Sequence, residues 1–307
     1  MREAFSDALV RLAVQDPRVL LLTGDHGYAL FDAFRKHCPG QYINAGIAEQ
    51  NMVGMAAGLA RVGFRPFVYG LSAFVPVRVL EQIKLDVAHD DLPVVFLGDG
   101  AGFVYSHLGT SHQSTEDIAC TRAIPGLSVL SPADRHEMAI CMEHAYSLQA
   151  PVYVRMGKSD RGDVHPAALP PLEVGQMIRL HEGRADLPTL IATGSMVRTA
   201  LDFAQQRTGF SVWSAPSVKP LDVQQVVTIA RSSRGLVVLE EHSVNGGLGS
   251  AVAEIVCEHR PTRVLRIGVA DRFSQRCGTY AYLLREHRLD DDAVCSRIDE
   301  FVNCNGQ

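Results

Sequence analysis

The stretch that decides the fold of this chain is YINAGIAEQNMVGMAAG, residues 42–58. A short apolar segment leads to Glu49, after which small and apolar residues follow at the spacing of a helix. An acid in the first turn complements the positive end of the helix dipole, which is the simplest interpretation of Glu49 alone. Gly54 and Gly58 each cost about 1 kcal/mol relative to alanine in a helix, so we expect a close neighbour on that face.

These residues closely resemble the cofactor-activating segment of the transketolase family of thiamine diphosphate enzymes, and the likeness extends through almost the whole chain. The family includes deoxyxylulose phosphate synthase and the β subunits of 2-oxoacid dehydrogenases. The resemblance implies that Glu49 hydrogen-bonds a ring nitrogen of the cofactor's aminopyrimidine and that Ile47 borders the same site. Such a carboxyl group exchanges a proton with the ring, which is general acid–base chemistry.

Length and composition set the broad class. A chain of 307 residues with 47% hydrophobic residues is long enough for two packed domains. Its 29 basic and 34 acidic residues give a formal charge of -5, which argues against nucleic acid as a partner.

The seven cysteines and the apolar runs indicate the compartment. The cysteines are odd in number, scattered and never spaced as a metal-binding pair, so we expect reduced thiols in the cytoplasm and no metal site. The chain opens without an apolar signal core, and no apolar run reaches membrane-spanning length. We therefore expect neither export nor insertion into a membrane.

Short apolar runs alternate with helical stretches, which predicts an α/β fold of two doubly wound domains with mostly parallel sheets. The resemblance assigns residues 1–160 to a pyrimidine-binding domain and 188–307 to a transketolase C-terminal domain. Between them, 161–187 has the composition of a linker. Strands are predicted at 19–22, 67–69, 93–97, 127–130, 151–154, 189–195, 210–213, 235–239 and 264–267. Helices are predicted at 5–14, 50–62, 75–89, 133–148 and 197–206.

Three residues in the first half are candidates for the cofactor site or for catalysis. Asp25 and His26 follow the first predicted strand, and in open α/β sheets ligands bind outside the carboxyl ends of strands. The resemblance places Asp25 against the cofactor and gives His26 a part in proton transfer, although either could be an ordinary turn residue. By the same resemblance Phe74 stacks on the aminopyrimidine ring, whereas an isolated phenylalanine more often packs in a core.

Two arginines are candidate phosphate ligands. Arg78 and Arg155 match arginines that hold the phosphate of the acceptor sugar in deoxyxylulose phosphate synthase-like relatives. A guanidinium group suits this role because it binds phosphate through two parallel hydrogen bonds. A structural salt bridge is the alternative for each.

The loop 101–114 is rich in glycine and hydroxyl groups and has the character of an active-site loop. Its Ser111-His112-Gln113 segment resembles the family's Thr-His-Gln, which implies that His112 reaches substrate oxygens and transfers protons and that Gln113 contacts substrate. His107 could bind a substrate hydroxyl or simply be solvated. Leu108 stands where many transketolases carry an aspartate, which loosens the prediction of the substrate.

The triplet Gly98-Asp99-Gly100 resembles the start of the magnesium-diphosphate segment of thiamine enzymes, but no asparagine follows at 124–132. Magnesium requires oxygen ligands in octahedral geometry, so we interpret the triplet as a turn. We expect a partner chain to hold most of the Mg²⁺ and diphosphate contacts.

Two features of the second half are weaker candidates. The glycines of 246–249 open a helix whose backbone amides could hold an anion, although close packing is the more frequent reason for such glycines. His242 could approach the entrance of the site or could be structural.

The resemblance covers the last two domains of a complete transketolase. The favoured hypothesis is the second subunit of a split, thiamine diphosphate-dependent ketol transferase. It acts on a sugar that we expect to be phosphorylated, in an α2β2 complex with an N-terminal, diphosphate-binding subunit. The alternatives are an acyloin or 1-deoxyketose synthase that uses a 2-oxoacid, and a regulatory or scaffold subunit without activity. Glu49, Phe74 and His112 speak against the last of these.

Overall fold

Buried aliphatic runs form the strands of two sheets in a computed structural model, which describes residues 1–303. The first half provides β1 (Val19–Thr23), β2 (Tyr42–Asn44), β3 (Arg65–Leu71), β4 (Val95–Asp99), β5 (Ser128–Leu130) and β6 (Val152–Met156). The second half provides β7 (Ile178–His181), β8 (Thr189–Ala192), β9 (Val212–Ser214), β10 (Ser217–Lys219), β11 (Leu236–Ser243) and β12 (Val264–Val269).

Within the described residues the first sheet has seven strands in the order β10-β5-β6-β4-β3-β1-β2, and the second has five in the order β12-β11-β8-β9-β7. Pairing is parallel except for β10 with β5 and β7 with β9. The strands β1, β3, β4 and β6 are buried along their whole length, as expected for parallel strands covered on both faces. The predicted fold class is confirmed.

Helices cover both sheets. They are α1 (Arg2–Gln15), α2 (Asp32–His37), α3 (Glu49–Arg61), α4 (Leu80–Gln82), α5 (Asp117–Arg122), α6 (Arg135–Ser147), α7 (Met196–Gln206), α8 (Val223–Arg231), α9 (Leu248–His259), α10 (Tyr280–Glu286) and α11 (Asp291–Asn303). The helix predicted over 75–89 is instead a series of short 3₁₀, α and π turns. None of the helices within residues 1–303 has the length and apolar character needed to cross a membrane.

The two halves are joined by more than the connecting chain. Strand β10 belongs to the second half in sequence but completes the edge of the first sheet beside β5. The backbone N–H of Gly194, just after β8, donates to the Ser131 carbonyl, just after β5, at 3.2 Å. Part of the segment expected to be a linker is the edge strand β7, because its residues pair with β9.

The face of α3 that carries its glycines is open. A Cβ atom added at Gly54 or at Gly58 would meet no atom within 4 Å. The expectation that a close neighbour explains these two glycines is therefore wrong within residues 1–303. Ile47 and Val62, at the two ends of the same helix, are 76% and 73% exposed.

Candidate active site

The candidate residues lie where neighbouring parallel strands end. The strands β1, β3 and β4 are adjacent in the sheet, so the turns after Thr23, Leu71 and Asp99 meet at one edge. Strand β2 pairs with β1 and leads through residues 45–48 to Glu49, the first residue of α3. The topology thus brings together side chains that are far apart in the sequence.

The carboxylate of Glu49 lies at the centre of this edge. Glu49 is 6% exposed, and its Oε1 accepts a hydrogen bond from Arg78 Nη1 at 3.0 Å. No hydrogen bond engages its Oε2 within residues 1–303. One oxygen is therefore oriented by a cation while the other remains available to a ligand.

Phe74 connects Glu49 to two histidines. The guanidinium carbon of Arg78 lies 4.0 Å from the centroid of the Phe74 ring, a cation–π contact. The same ring meets His112 edge to face at a centroid distance of 5.2 Å, and His26 at 6.2 Å. Nδ1 of His26 is buried without a hydrogen-bond partner. The structure therefore brings Glu49, Arg78, Phe74, His26 and His112 into one cluster.

Asn44 builds the turn on the other side of Glu49. Its Oδ1 accepts from the backbone N–H groups of Asp25 at 3.2 Å and of Gly46 at 3.0 Å, and its Nδ2 donates to the Asp25 carboxylate at 3.3 Å. Asp25 has a left-handed φ of 60°, which this double contact supports. Ile47 is exposed beside this turn.

The loop 101–114 contributes His112, while its other candidates lie in different surroundings. The Oγ of Ser111 contacts His112 Nδ1 at 3.0 Å. Gln113 is 6% exposed, and its Oε1 accepts from Ser274 of the second half at 2.8 Å. His107 is exposed on a short 3₁₀ turn next to Leu108, which is 55% exposed.

The structure contradicts the predicted phosphate contact of Arg155. Its side chain is 2% exposed, and its Nε donates to Asp117 Oδ2 at 2.7 Å. Nη2 donates to the backbone carbonyl of Glu241 at 2.8 Å. Burial disfavours the charged guanidinium, but Asp117, Tyr153 and Glu241 together outweigh that effect, and the pKa of Arg155 lies above its ordinary value. This arginine joins the two halves and does not reach the cluster around Phe74.

The triplet Gly98-Asp99-Gly100 is the end of β4 and the turn after it, as interpreted from the sequence. Asp99 Oδ2 accepts from Tyr69 at 2.8 Å and from Tyr105 at 3.2 Å, and it also pairs with Arg2. Burial first, and then the charge of Asp99, raise the pKa of Tyr105 to about 12. The carboxylate therefore anchors the start of the loop 101–114.

The second half supplies a buried Glu240-Glu241-His242 segment. Glu240 accepts from the backbone N–H groups of Leu248 at 2.8 Å and Gly249 at 2.9 Å, so an internal carboxylate occupies the helix start where an external anion was considered. Burial raises the pKa of Glu240 to about 7. His242 is fully buried, which lowers its pKa to about 4, so it does not approach the site entrance.

Glu241 links this segment to the active-site loop. Its Oε1 accepts from the backbone N–H of Phe103 at 2.7 Å, and its Oε2 accepts from Ser195 and Tyr280. Gly102, with a φ of 66°, packs against the Glu241 side chain, where a Cβ would lie 2.2 Å from Oε1. A residue of the second half thereby supports the loop that carries His112.

Comparison with known proteins identifies the family. The chain matches the model of the transketolase pyrimidine-binding domain over residues 1–162 and that of the transketolase C-terminal domain over residues 175–294. The chain belongs to the transketolase family.

Several relatives have the length of this chain. An apulose-4-phosphate transketolase subunit of Phocaeicola vulgatus is 34% identical over 306 residues, which cover 98% of this chain and 97% of the relative. A 6-deoxy-6-sulfo-D-fructose transketolase subunit of a Clostridium species is also 34% identical, over 90% of this chain and 86% of its own length. The 1-deoxy-D-xylulose-5-phosphate synthase of Chlorobium phaeovibrioides is 36% identical, but the match spans 48% of that protein.

Solved structures agree with this assignment. A split-gene transketolase, described as an inactive β4 tetramer, aligns with a TM-score of 0.88 at 34% identity, covering 98% of this chain and 97% of that one. A transketolase variant from Pichia stipitis aligns with a TM-score of 0.77 at 20% identity, which shows the fold alone.

Sequence reasoning missed the residues that position the site. Asn44 lies inside the quoted motif, and its place between Asp25 and Gly46 could have suggested a turn-forming amide. Asp117 and Glu241 carried no local signal, because their partners Arg155 and Phe103 are distant in the sequence.

Proposed function

We propose that this chain is the second subunit of a two-chain, thiamine diphosphate-dependent transketolase. It would transfer a two-carbon ketol unit between a ketose and an aldose, with phosphorylated sugars as the substrate class. The contact of Glu49 with Arg78 beside Phe74 carries the proposal, because it orients one carboxylate oxygen and leaves the other available in a largely buried site. The relatives that are subunits of split transketolases support it.

The residues present fit the cofactor. A partly buried aromatic ring, an unpaired carboxylate oxygen and an unpaired imidazole nitrogen suit a flat heteroaromatic ring with polar edges. When bound, thiamine diphosphate supplies a carbanion-stabilising thiazolium centre. Glu49 would hold the proton at the pyrimidine nitrogen, Phe74 would stack on that ring, and Asp25 and Ile47 would border it.

Proton transfer and substrate binding fall to the remaining side chains. His112 and His26 flank Phe74 from two directions and are suited to exchange protons with substrate oxygens. Arg78 donates to Glu49 through Nη1, and its other N–H groups remain available to bind an anionic substrate group. His107 and Gln113 are the further candidates for substrate contact, and Gln113 Nε2 is buried without a partner.

A partner chain completes the site in this proposal. Within residues 1–303 no group of three or more His, Cys, Asp or Glu side chains is placed to hold a metal ion, so we assign Mg²⁺ and the diphosphate mainly to the N-terminal subunit. The exposed face of α3, with Gly54 and Gly58, leaves room for a neighbouring chain in an α2β2 assembly. The cysteine pattern supports a cytoplasmic location.

The test is a Glu49→Gln variant assembled with the partner chain. Glutamine fills the same space without an exchangeable carboxyl proton, so we expect cofactor carbon-2 deuterium exchange to slow by at least about 100-fold while assembly is kept. Glu143→Gln, at an exposed glutamate of α6, is the matched control and should exchange at the wild-type rate. Unchanged exchange in Glu49→Gln would remove this residue from its role.

A second candidate, a 1-deoxyketose or acyloin synthase that uses a 2-oxoacid donor, is favoured by one observation. Leu108 is 55% exposed on the active-site loop, in the place where many transketolases have an aspartate. Turnover of a ketose phosphate and of pyruvate by the reconstituted enzyme separates the two. Turnover of pyruvate without turnover of the ketose phosphate would favour the 2-oxoacid synthase over ketol transfer.

A further inference from the structure

The outer edge of the second sheet carries a cavity that is far in sequence from Glu49. It has a volume of about 530 Å³, which lies in the range typical of small-molecule sites. The edge strand β12 forms one wall and the segment joining α10 to α11 forms another. Its lining is strongly basic and contains Arg266, His287, Arg288 and Arg297.

The guanidinium groups of this lining form no close ion pair with a carboxylate of residues 1–303, although Glu240 attracts Arg266 and Glu300 attracts Arg297 over longer distances. Arg266 donates to the Val244 carbonyl at 2.7 Å, and Arg297 donates to the Arg266 carbonyl at 2.8 Å. Each guanidinium has five N–H donors, so most of these donors remain available.

The charges of the cavity also act on each other. Burial first, and then the nearby charge of Arg288, lower the pKa of Arg297, and Glu300 opposes this only in part. Two cations that repel each other on the wall of one cavity are stabilised by an anion between them. The lining therefore has an electrostatic reason to bind a negatively charged group.

His287 adds an unpaired polar atom to the same lining. It is 4% exposed, its ring stacks on Phe103 at a centroid distance of 4.8 Å, and its Nδ1 is buried without a hydrogen-bond partner. The neighbouring Glu286 does not supply one: its Oε1 accepts from the Gln275 backbone N–H at 2.6 Å, and its Oε2 is also buried without a hydrogen-bond partner. Buried polar atoms are normally paired, so this one points to a missing partner.

We infer that this cavity is a second binding site, for a small anion of the phosphorylated or polyphosphate class. Arginine is the side chain best suited to bind phosphate oxygens, because its planar fork donates two parallel hydrogen bonds. The volume of about 530 Å³ and the net charge of -5 favour a small molecule over nucleic acid. The site goes beyond the proposed transferase function and does not depend on it.

A chain of contacts leads from this cavity to the active-site loop. His287 Nε2 lies 2.9 Å from Ser274 Oγ, and that hydroxyl donates to Gln113 Oε1 at 2.8 Å. Gln113 is the neighbour of His112, whose ring contacts Phe74. An anion that contacts His287 would change the hydrogen bonds through Ser274 to Gln113, so ligand binding in the cavity and in the active site should be coupled.

Isothermal titration of inorganic pyrophosphate into the full chain tests the site. We expect saturable binding that weakens as salt rises. Binding should weaken by about tenfold or more in Arg288→Gln and in Arg297→Gln, since each variant loses charge-assisted hydrogen bonds. Arg184→Gln, at an exposed arginine of the second half, is the matched control and should bind as the wild type does. Arg288 is exposed, so its variant serves even if Arg297→Gln fails to fold.

Two outcomes would overturn the inference. The first is the absence of pyrophosphate binding, or wild-type affinity in Arg288→Gln. The second is binding that disappears in Arg78→Met but persists in Arg288→Gln, since that would place the anion beside Glu49. Neither result contradicts the transferase proposal, which is tested separately by cofactor exchange.

Discussion

Replacing Arg155 by methionine should strongly destabilise the protein. The substitution keeps an unbranched side chain of similar length but removes the donors that Asp117 Oδ2 and the Glu241 carbonyl accept at 2.7 and 2.8 Å. Asp117 is fully buried and would retain only the hydroxyl of Tyr153, at 2.6 Å, as a side-chain donor. Removing one partner of a buried ion pair costs about 3–5 kcal/mol, because the remaining charge is left unpaired.

That loss is a large fraction of the roughly 5–15 kcal/mol that is typical of folded proteins. The assay is equilibrium unfolding in urea at neutral pH, followed by circular dichroism and by the fluorescence of Trp213, the single tryptophan. Coincident transitions by the two probes are needed before a free energy is extracted, since Arg155 joins the two halves. Arg184→Met is the control, because Arg184 pairs with Asp186 on the surface and its loss should leave the free energy of unfolding almost unchanged.

A double variant, Arg155→Met with Asp117→Leu, shows whether the loss of stability comes from an unpaired buried charge or from lost packing. Replacing both members of a buried pair by apolar residues is often neutral, so the double variant should recover at least half of the lost stability. A loss below about 1 kcal/mol in the single variant, with a raised Michaelis constant for a phosphorylated sugar, would refute the structural role. It would restore the phosphate contact expected from the sequence.

Two other substitutions test the buried polar segment of the second half. Folding lowers the pKa of His242 to about 4, so the unfolded chain binds the extra proton more readily between pH 6.5 and 4. The free energy of unfolding therefore falls as the pH falls through that window, by up to about 1.4 kcal/mol per pH unit. His242→Asn should remove this pH dependence. Glu240 acts in the opposite direction, because its raised pKa of about 7 makes the protein less stable as the pH rises. The His242→Asn variant must therefore be compared with the wild type at each pH. Equal slopes of unfolding free energy against pH in the two proteins would contradict the lowered pKa of His242. Glu241→Gln should cost about 1–3 kcal/mol in urea unfolding, because a neutral amide replaces the charged acceptor of the Phe103 N–H and of the Ser195 and Tyr280 hydroxyls. Glu143→Gln is the control, and equal stability of the two variants would argue against this contact.

Local sequence determined the architecture and the centre of the site. Fully apolar runs such as residues 19–22 indicated buried strands, and their alternation with helical spacing indicated parallel sheets. The motif around Glu49 indicated the helix that presents the carboxylate, and folding brings Phe74, His26 and His112 near it. These features were accessible because each depends on neighbours within a few residues or on a short motif.

Short strands at sheet edges were not accessible from the sequence. Strands β2, β7 and β10 have three or four residues each, too few for a periodic pattern, and they form because a partner strand lies beside them. The crossing of β10 into the first sheet is a property of the pairing and not of its own residues.

Tertiary structure also decided which charged residues serve the site and which hold the protein together. Arg78 and Arg155 look alike in the sequence, each following an apolar segment of the first half. Folding leaves Arg78 exposed beside Glu49 but buries Arg155 against Asp117, a residue 38 positions away in the chain. The free energy of a charge depends on its burial and on the partners that surround it, and both are set by distant parts of the chain.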